Sequence, residues 1–283
     1  MKFEKITIVG LGLIGGSLAW ALKESGQVKI VAGVDTDPIA IKYALDNEII
    51  DDGSSDITRT ISGSDIIVVS THVGRIADTA KLIAENAKEN TVLTDVGSVK
   101  KSIIKAIEPL ITENIHFVAG HPIAGTENSG VRSADSNLFK DKRCILTPID
   151  KTNSEAKSKV KAMWEMVGSR VYEMDPDTHD HIFGIVSHLP HLVAYSLMNT
   201  VLRAEDSEQL LDFAGGGLKD YTRVAASSPE MWTEIFQANK YQMLKAIGQF
   251  KISLKEIESA IENDDFESLK KELGKAASAK RKL

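Results

Sequence analysis

Residues 6–17 read Ile6-Thr7-Ile8-Val9-Gly10-Leu11-Gly12-Leu13-Ile14-Gly15-Gly16-Ser17: a β-branched run, a G-x-G-x-x-G turn and the start of a helix-period segment. Strand, glycine turn and helix in that order form the dinucleotide-binding unit of a doubly wound α/β fold. Gly10 permits the tight turn, Gly12 lets a pyrophosphate approach the backbone, and Gly15 allows close helix packing. Leu13 and Ile14 open the helix whose N-terminus faces the phosphates. A glycine triplet by itself also fits a plain βα turn, so its context matters. Asp35 ends the next strand, twenty residues beyond Gly15, where a carboxylate accepts from both ribose hydroxyls and repels a 2′-phosphate. NAD is therefore the expected cofactor, in preference to NADP. Asp37, before Pro38, reads as the cap of the following helix.

Outward from this unit, short apolar runs alternate with helix-period segments as far as residue 174. The runs predict strands over 6–9, 30–34, 66–70, 92–95, 117–119, 144–147 and 170–173, with helices over 14–25, 100–110 and 154–167. Beyond Asp175-Pro176 the pattern turns helical, over 179–203, 231–250 and 252–273, and Pro190 should kink the first of these. The fold class expected is α/β, a Rossmann-like, mostly parallel sheet in residues 1–174, followed by an all-helical region over 175–283.

With 42% hydrophobic and 26% charged residues, the 283-residue chain has the composition of a globular protein. A net charge of −6 disfavours a nucleic-acid partner. The lysines near the end read as cations at a helix C-terminus and in a solvated tail. The lone Cys144 excludes an internal disulfide and reads as buried filler. No stretch has the roughly 20 apolar residues of a membrane span, and the start shows no secretory pattern, so a cytoplasmic location is expected.

Candidate chemistry gathers after predicted strands. Ser70 and Thr71 end one, where they border a nicotinamide or simply make a turn. Ser98 lies in Asp95-Val96-Gly97-Ser98-Val99-Lys100, where a serine is ordinarily an N-cap. His121 lies in Gly120-His121-Pro122-Ile123-Ala124-Gly125-Thr126-Glu127, which reads as irregular structure. An isolated histidine there would be an ordinary hydrogen-bonded one, but beside a nicotinamide it becomes the candidate base for a substrate hydroxyl. Four of the seven histidines fall in His179-Asp180-His181 and Ser187-His188-Leu189-Pro190-His191. Neither cluster offers a third ligand at familiar zinc spacing, and no metal is expected. Arg223, after the Gly215-Gly216-Gly217 run, could clamp a carboxylate, although an arginine on a helix is by default solvated.

Taken together, the glycine turn, Asp95-x-Gly97-Ser98-Val-Lys100, the His121 segment, Ser187 to His191, Lys219-Asp-Tyr-Thr-Arg223 and Pro229-Glu-Met-Trp232 resemble the prephenate dehydrogenase family along nearly the whole chain. The resemblance implies NAD-dependent oxidative decarboxylation of prephenate, on the route to tyrosine, in a homodimer paired through the helical region. It makes His121 the catalytic base, and Ser98 the residue that positions the hydroxyl and the nicotinamide. Arg223, His191 and Gly216 bind substrate, Glu127 and His179 are outer polar members, and Trp232 reaches the partner's cleft. Because the chain stops soon after the helical region, a monofunctional enzyme is expected, without the mutase or regulatory domain fused in some relatives. The chain departs from the pattern at His72, where many relatives carry proline. Arogenate, with an amino group replacing the side-chain keto group, is the alternative substrate, and an imidazole at His191 tilts the expectation toward prephenate. A β-hydroxyacid dehydrogenase would need a lysine motif that is absent here, and a redox-sensing regulator would need a DNA-reading element.

Overall fold

A computed structural model describes residues 1–283 except Glu89 and Glu127. Residues 1–239 form one compact unit and residues 240–283 a second. The first begins with β1 (Phe3–Val9), α1 (Leu13–Glu24), β2 (Val28–Val34), α2 (Pro38–Asp46), β3 (Asp52–Ser54) and α3 (Ile57–Thr60). It continues through β4 (Ile66–Val69), α4 (Val73–Asn86), β5 (Thr91–Asp95), α5 (Lys101–Ile107) and β6 (Ile115–Val118). These six strands form one parallel sheet in the order β3-β2-β1-β4-β5-β6.

Two-sided burial explains why the strands lack polar alternation. Ile66 and Val68 enter one core with Leu18, Leu22 and Trp164, while Ile67 and Val69 enter the other with Ile76, Ile83 and Ile107. Successive residues of β4 thus face opposite layers of helices, and all four must be apolar. Strand order reverses between β1 and β4, which opens the crevice where such sheets bind ligands.

The two later predicted strands do not extend this sheet. β7 (Gly120–Pro122), β8 (Arg143–Leu146) and β9 (Arg170–Glu173) make a separate three-stranded sheet, with α6 (Ser154–Met166) between the last two. β7 runs antiparallel to β8, and His121 pairs with Ile145. The expectation of irregular structure around His121 is corrected here: three residues show no period, and their strand character comes from pairing across the chain. Cys144 is fully buried, as expected, and burial pushes its thiol well above the ordinary value.

From Pro176 onward every element is helical: α7 (Pro176–Phe183), α8 (Leu189–Leu202), α9 (Ser207–Asp212), α10 (Gly216–Thr222) and α11 (Pro229–Ala238) in the first unit, then α12 (Lys240–Glu262) and α13 (Phe266–Lys280) in the second. Pro190 does interrupt its helix. Residues Gly184–His188 form a π-turn in which the Leu189 amide reaches back to Gly184, and α8 starts afresh with proline in its first turn. No helix among the described residues is long and apolar enough to cross a membrane.

The glycine turn is sterically graded. Gly10 adopts φ +101°, and a side chain there would strike the Ser70 carbonyl at 2.6 Å. A Cβ on Gly15 would lie 1.9 Å from the Gly10 carbonyl oxygen, whereas one on Gly12 would meet nothing within 4 Å. Gly15→Ala should therefore cost at least about 2 kcal/mol, a fall in Tm of roughly 4–8 °C for a unit of this size. Gly12→Ala, a change at an open N-cap, should cost under about 1 kcal/mol. Thermal melts of the two variants check this grading, and equal melting temperatures would refute it.

Candidate active site

At the carboxyl edge of the sheet, Gly12 occupies the N-cap position of α1 with no side-chain cap, so the first amides of Leu13 and Ile14 carry the helix dipole into open space. Asp35 holds the turn in place: its carboxylate accepts from the Leu11 amide at 2.7 Å and from the Asp37 amide at 2.9 Å. Asp37 caps α2, as read from sequence. The Ser70 Oγ is buried beside Gly15, without a hydrogen-bond partner among the described residues. An uncapped helix start, an open Gly12 and a spare hydroxyl make a cradle that fits a dinucleotide. Thr71 follows, half-buried, and His72 stands exposed at the N-cap of α4 without capping it. That helix start is served instead by Glu234, which accepts from the Gly74 amide at 2.9 Å.

One switch point along the edge, the chain after β5 builds a buried clamp. Asp95 accepts from Gly97 N at 2.8 Å and from Gly120 N at 3.2 Å, and pairs with Lys100 Nζ. Lys100 also donates to the Gly120 carbonyl at 2.6 Å. Both charged side chains are fully buried, and between them they hold the two backbone polar groups of the residue before His121.

Ser98 is half-buried in the same turn but does not cap α5. The amides of Lys100 and Lys101 are taken by Asp180, at 2.8 Å and 3.0 Å, so the helix cap comes from across the fold. α7 presents His179, Asp180 and Phe183 on one buried face. His179 Nε2 lies 2.8 Å from His121 Nδ1, and His179 Nδ1 lies 2.8 Å from Asp180. Phe183 packs on both rings, with its centroid 5.0 Å from that of His121 and 4.6 Å from that of His179.

Burial holds His121 well below the ordinary histidine value, and the adjacent His179, Lys100 and His188 push the same way. Burial also lowers His179, against the opposing pull of Asp180. Burial raises Asp180, but the hydrogen bonds from His179, Lys100 and Lys101 outweigh it and keep the carboxylate ionised.

His188 and His191 leave the π-turn on adjacent turns. His188 is buried and its imidazole is brought down to about 4, chiefly by burial. Its Nδ1 accepts from Asn239, and the nearby Ser98 backbone opposes the lowering. His191 donates from Nδ1 to the Ser187 carbonyl at 3.0 Å. Its ring stacks on Trp232 at 3.7 Å between centroids. Trp232 is 6% exposed and packs within its own chain.

Burial and the charge of Arg223 keep His191 below its usual value, against the Ser187 carbonyl. Arg223 itself is exposed, where α10 passes into a 3-10 turn, and Gly216 is the exposed first residue of α10. Glu127 lies outside the described residues.

The structure thus joins His121 to His179, and His191 to Trp232, and sets Ser98 beside His188. Arg223 is exposed within electrostatic reach of His191, and Gly216 is exposed at the start of α10. Sequence reasoning passed over Asp95, Lys100, Asp180 and His188, all of which lay inside motifs already quoted; a carboxylate next to a histidine in an apolar helix face was the available signal.

Comparison with known proteins agrees along the length of the chain. Residues 18–173 match the family model of the prephenate dehydrogenase nucleotide-binding domain, and residues 175–275 match that of its dimerization domain. A Bacillus subtilis prephenate dehydrogenase is 33% identical over 94% of this chain and 72% of its own. The A. aeolicus prephenate dehydrogenase, solved with hydroxyphenyl propionate and NAD+, superposes with a TM-score of 0.94 at 37% identity, covering 100% of this chain and 99% of its own. A Synechocystis arogenate dehydrogenase superposes with a TM-score of 0.83 at 28% identity, covering 98% of this chain and 99% of its own. On these matches, and on the site they enclose, the chain belongs to the prephenate dehydrogenase family.

Proposed function

We propose that the protein is an NAD-dependent dehydrogenase that oxidatively decarboxylates prephenate to 4-hydroxyphenylpyruvate. The observation that carries this reading is a buried, neutral imidazole, His121, whose strand is tied through Gly120 to Asp95 at the carboxyl end of β5, in a fold that opens its parallel sheet with a dinucleotide turn. Residues 1–174 then hold the cofactor, and residues 175–283 supply substrate contacts and pair two copies. Exposed apolar side chains along the second unit, among them Leu244, Ile252, Leu254 and Phe266, suit such pairing.

The amides of Leu13 and Ile14 receive the pyrophosphate, and Asp35 receives the ribose while bracing the turn. Ser70 and Thr71 border the nicotinamide. The chemistry that NAD would supply when bound is a hydride acceptor for ring carbon C4. His121 takes the C4 hydroxyl proton as that carbon becomes carbonyl-like, the bond from the ring to its carboxylate breaks, and the electron pair aromatises the ring. His121 then returns the proton to the phenolate oxygen. Ser98 orients the hydroxyl, and Arg223 holds a carboxylate at the rim.

A second reading is favoured by one observation. With Nδ1 donating to Ser187, a neutral His191 offers Nε2 as an acceptor, which suits the ammonium group of arogenate better than a keto oxygen. The greater likeness to the A. aeolicus prephenate dehydrogenase than to the Synechocystis arogenate dehydrogenase supports prephenate. Purified protein mixed with NAD and each substrate in turn, followed by absorbance of reduced nicotinamide, decides between them; turnover of neither overturns the reading.

His121→Asn should lower kcat by about 10²- to 10⁴-fold, the ordinary worth of a general base. Since protonation removes the lone pair, kcat/KM of the native enzyme should stay level down to pH 6.5 and decline only well below it. A limb at or above 6.5 would contradict the buried base. Arg223→Ala should raise KM by roughly 10- to 100-fold with kcat little changed, as for a lost carboxylate clamp. Asp35→Ala should weaken NAD and admit NADP, and a titration of both cofactors showing unchanged preference would refute the ribose assignment.

A further inference from the structure

We infer that Asp180 is a positioning residue that acts through His179 to hold the proton of His121 on Nδ1 and leave Nε2 as the free base. This rests on the reading of His121 as the base of the proposed reaction. Backbone amides can only donate, and two of them, from Lys100 and Lys101, point at Asp180. The oxygen that takes the Lys100 amide also meets His179 Nδ1 at 2.8 Å. An ionised carboxylate accepts only, so His179 Nδ1 must carry a hydrogen.

A neutral imidazole has one such hydrogen, and His179 has spent it on Asp180. Its Nε2 is bare and can only accept. Across the 2.8 Å contact the donor is therefore His121 Nδ1, and the second nitrogen of His121 is left with its lone pair. Each link follows from donor and acceptor count, beginning at peptide groups that cannot change state. His179 is 0% and Asp180 3% exposed, so solvent offers no substitute partner at either link. Phe183 packs on both rings, and Asn239 holds the Asp180 carbonyl at 2.9 Å, so the order of contacts is fixed.

The chain also serves the step after proton uptake. An imidazolium at His121 keeps its Nδ1 hydrogen directed at His179, whose other side faces a carboxylate. Charge developing on the base is thus met by charge two residues away, with no reorganisation.

Nitrogen-15 NMR of the full-length protein, labelled at histidine, tests this directly. In the native protein between pH 6.5 and 8, His121 should show a protonated Nδ1 and an unprotonated Nε2. Removing the acceptor with Asp180→Ala should bring a population protonated at Nε2 and lower kcat by roughly 10²- to 10⁴-fold, as expected for the wrong tautomer, with the dissociation constant for NAD unchanged. An Nε2-protonated His121 in the native spectrum overturns the inference whatever the variant does. So does an Asp180→Ala protein that melts lower yet keeps the native tautomer and turnover, for Asp180 would then only cap α5. Native turnover in His121→Asn, by contrast, sinks the base reading itself.

Discussion

The buried Asp95–Lys100 ion pair is the contact on which the site depends. Taking a carboxylate and an ammonium out of water costs several kcal/mol for each ion, and mutual attraction recovers it only when the remaining hydrogen-bonding capacity is used. Here it is used on backbone: Asp95 accepts from the amides of Gly97 and Gly120, and Lys100 donates a hydrogen bond to the Gly120 carbonyl. The end of β5, the start of α5 and the first residue of β7 are thereby joined at one point. A well-packed apolar pair could match the stability but could not fix the direction of the strand that carries His121. Breaking one half would leave an unpaired charge in the interior, a loss of about 3–5 kcal/mol.

From that point the geometry spreads in two directions. Toward the cofactor side, Gly10 can pass under the Ser70 carbonyl only because it has no Cβ, which brings the glycine turn onto the switch point between β1 and β4. Toward the helical side, α7 and α11 meet the sheet edge through polar contacts supplied in trans: Asp180 caps α5, and Glu234 caps α4. Two helices of the nucleotide-binding part are thus completed by carboxylates from later helices of the same unit. The π-turn before Pro190 has a comparable function. It absorbs the missing amide of proline and turns His188 inward and His191 onto Trp232.

The sequence disclosed what is local. A glycine turn flanked by a β-branched run and a helix, an acidic strand end, and Asp37 before Pro38 each declare themselves within a few residues, and all stand where they were expected. What sequence could not disclose is what pairing creates. β3 and β7 are three residues long and carry no period, so His121 looked like loop. Strands 144–147 and 170–173 were legible as strands but not as members of a second sheet. Asp180 and Lys100 carried no local signal, because Asp180 meets the Lys100 amide 80 residues away and Lys100 meets the Gly120 carbonyl 20 residues away. The stacking of Trp232 on His191 was not legible either, since nothing in the neighbourhood of Trp232 announced it.

The electrostatics of the site then trade basicity for readiness. Burial lowers His121, His179, His188 and His191 together, so four imidazoles stand neutral where a dianionic substrate would be received. A base with so low a proton affinity is intrinsically weak, and in a reversible dehydrogenase that weakness would limit the rate. In the proposed reaction aromatisation and loss of carbon dioxide would supply the drive, so a base at His121 need hold the proton only until the phenolate reclaims it. What matters more is that it be unprotonated in nearly every molecule, with its lone pair already aimed. Burial secures the first condition, and a chain of contacts that begins at the amides of Lys100 and Lys101 secures the second. Inside the site the Lys100 ammonium is paired with Asp95, and in the proposed reading the exposed Arg223 is the cation that would draw in a substrate carboxylate.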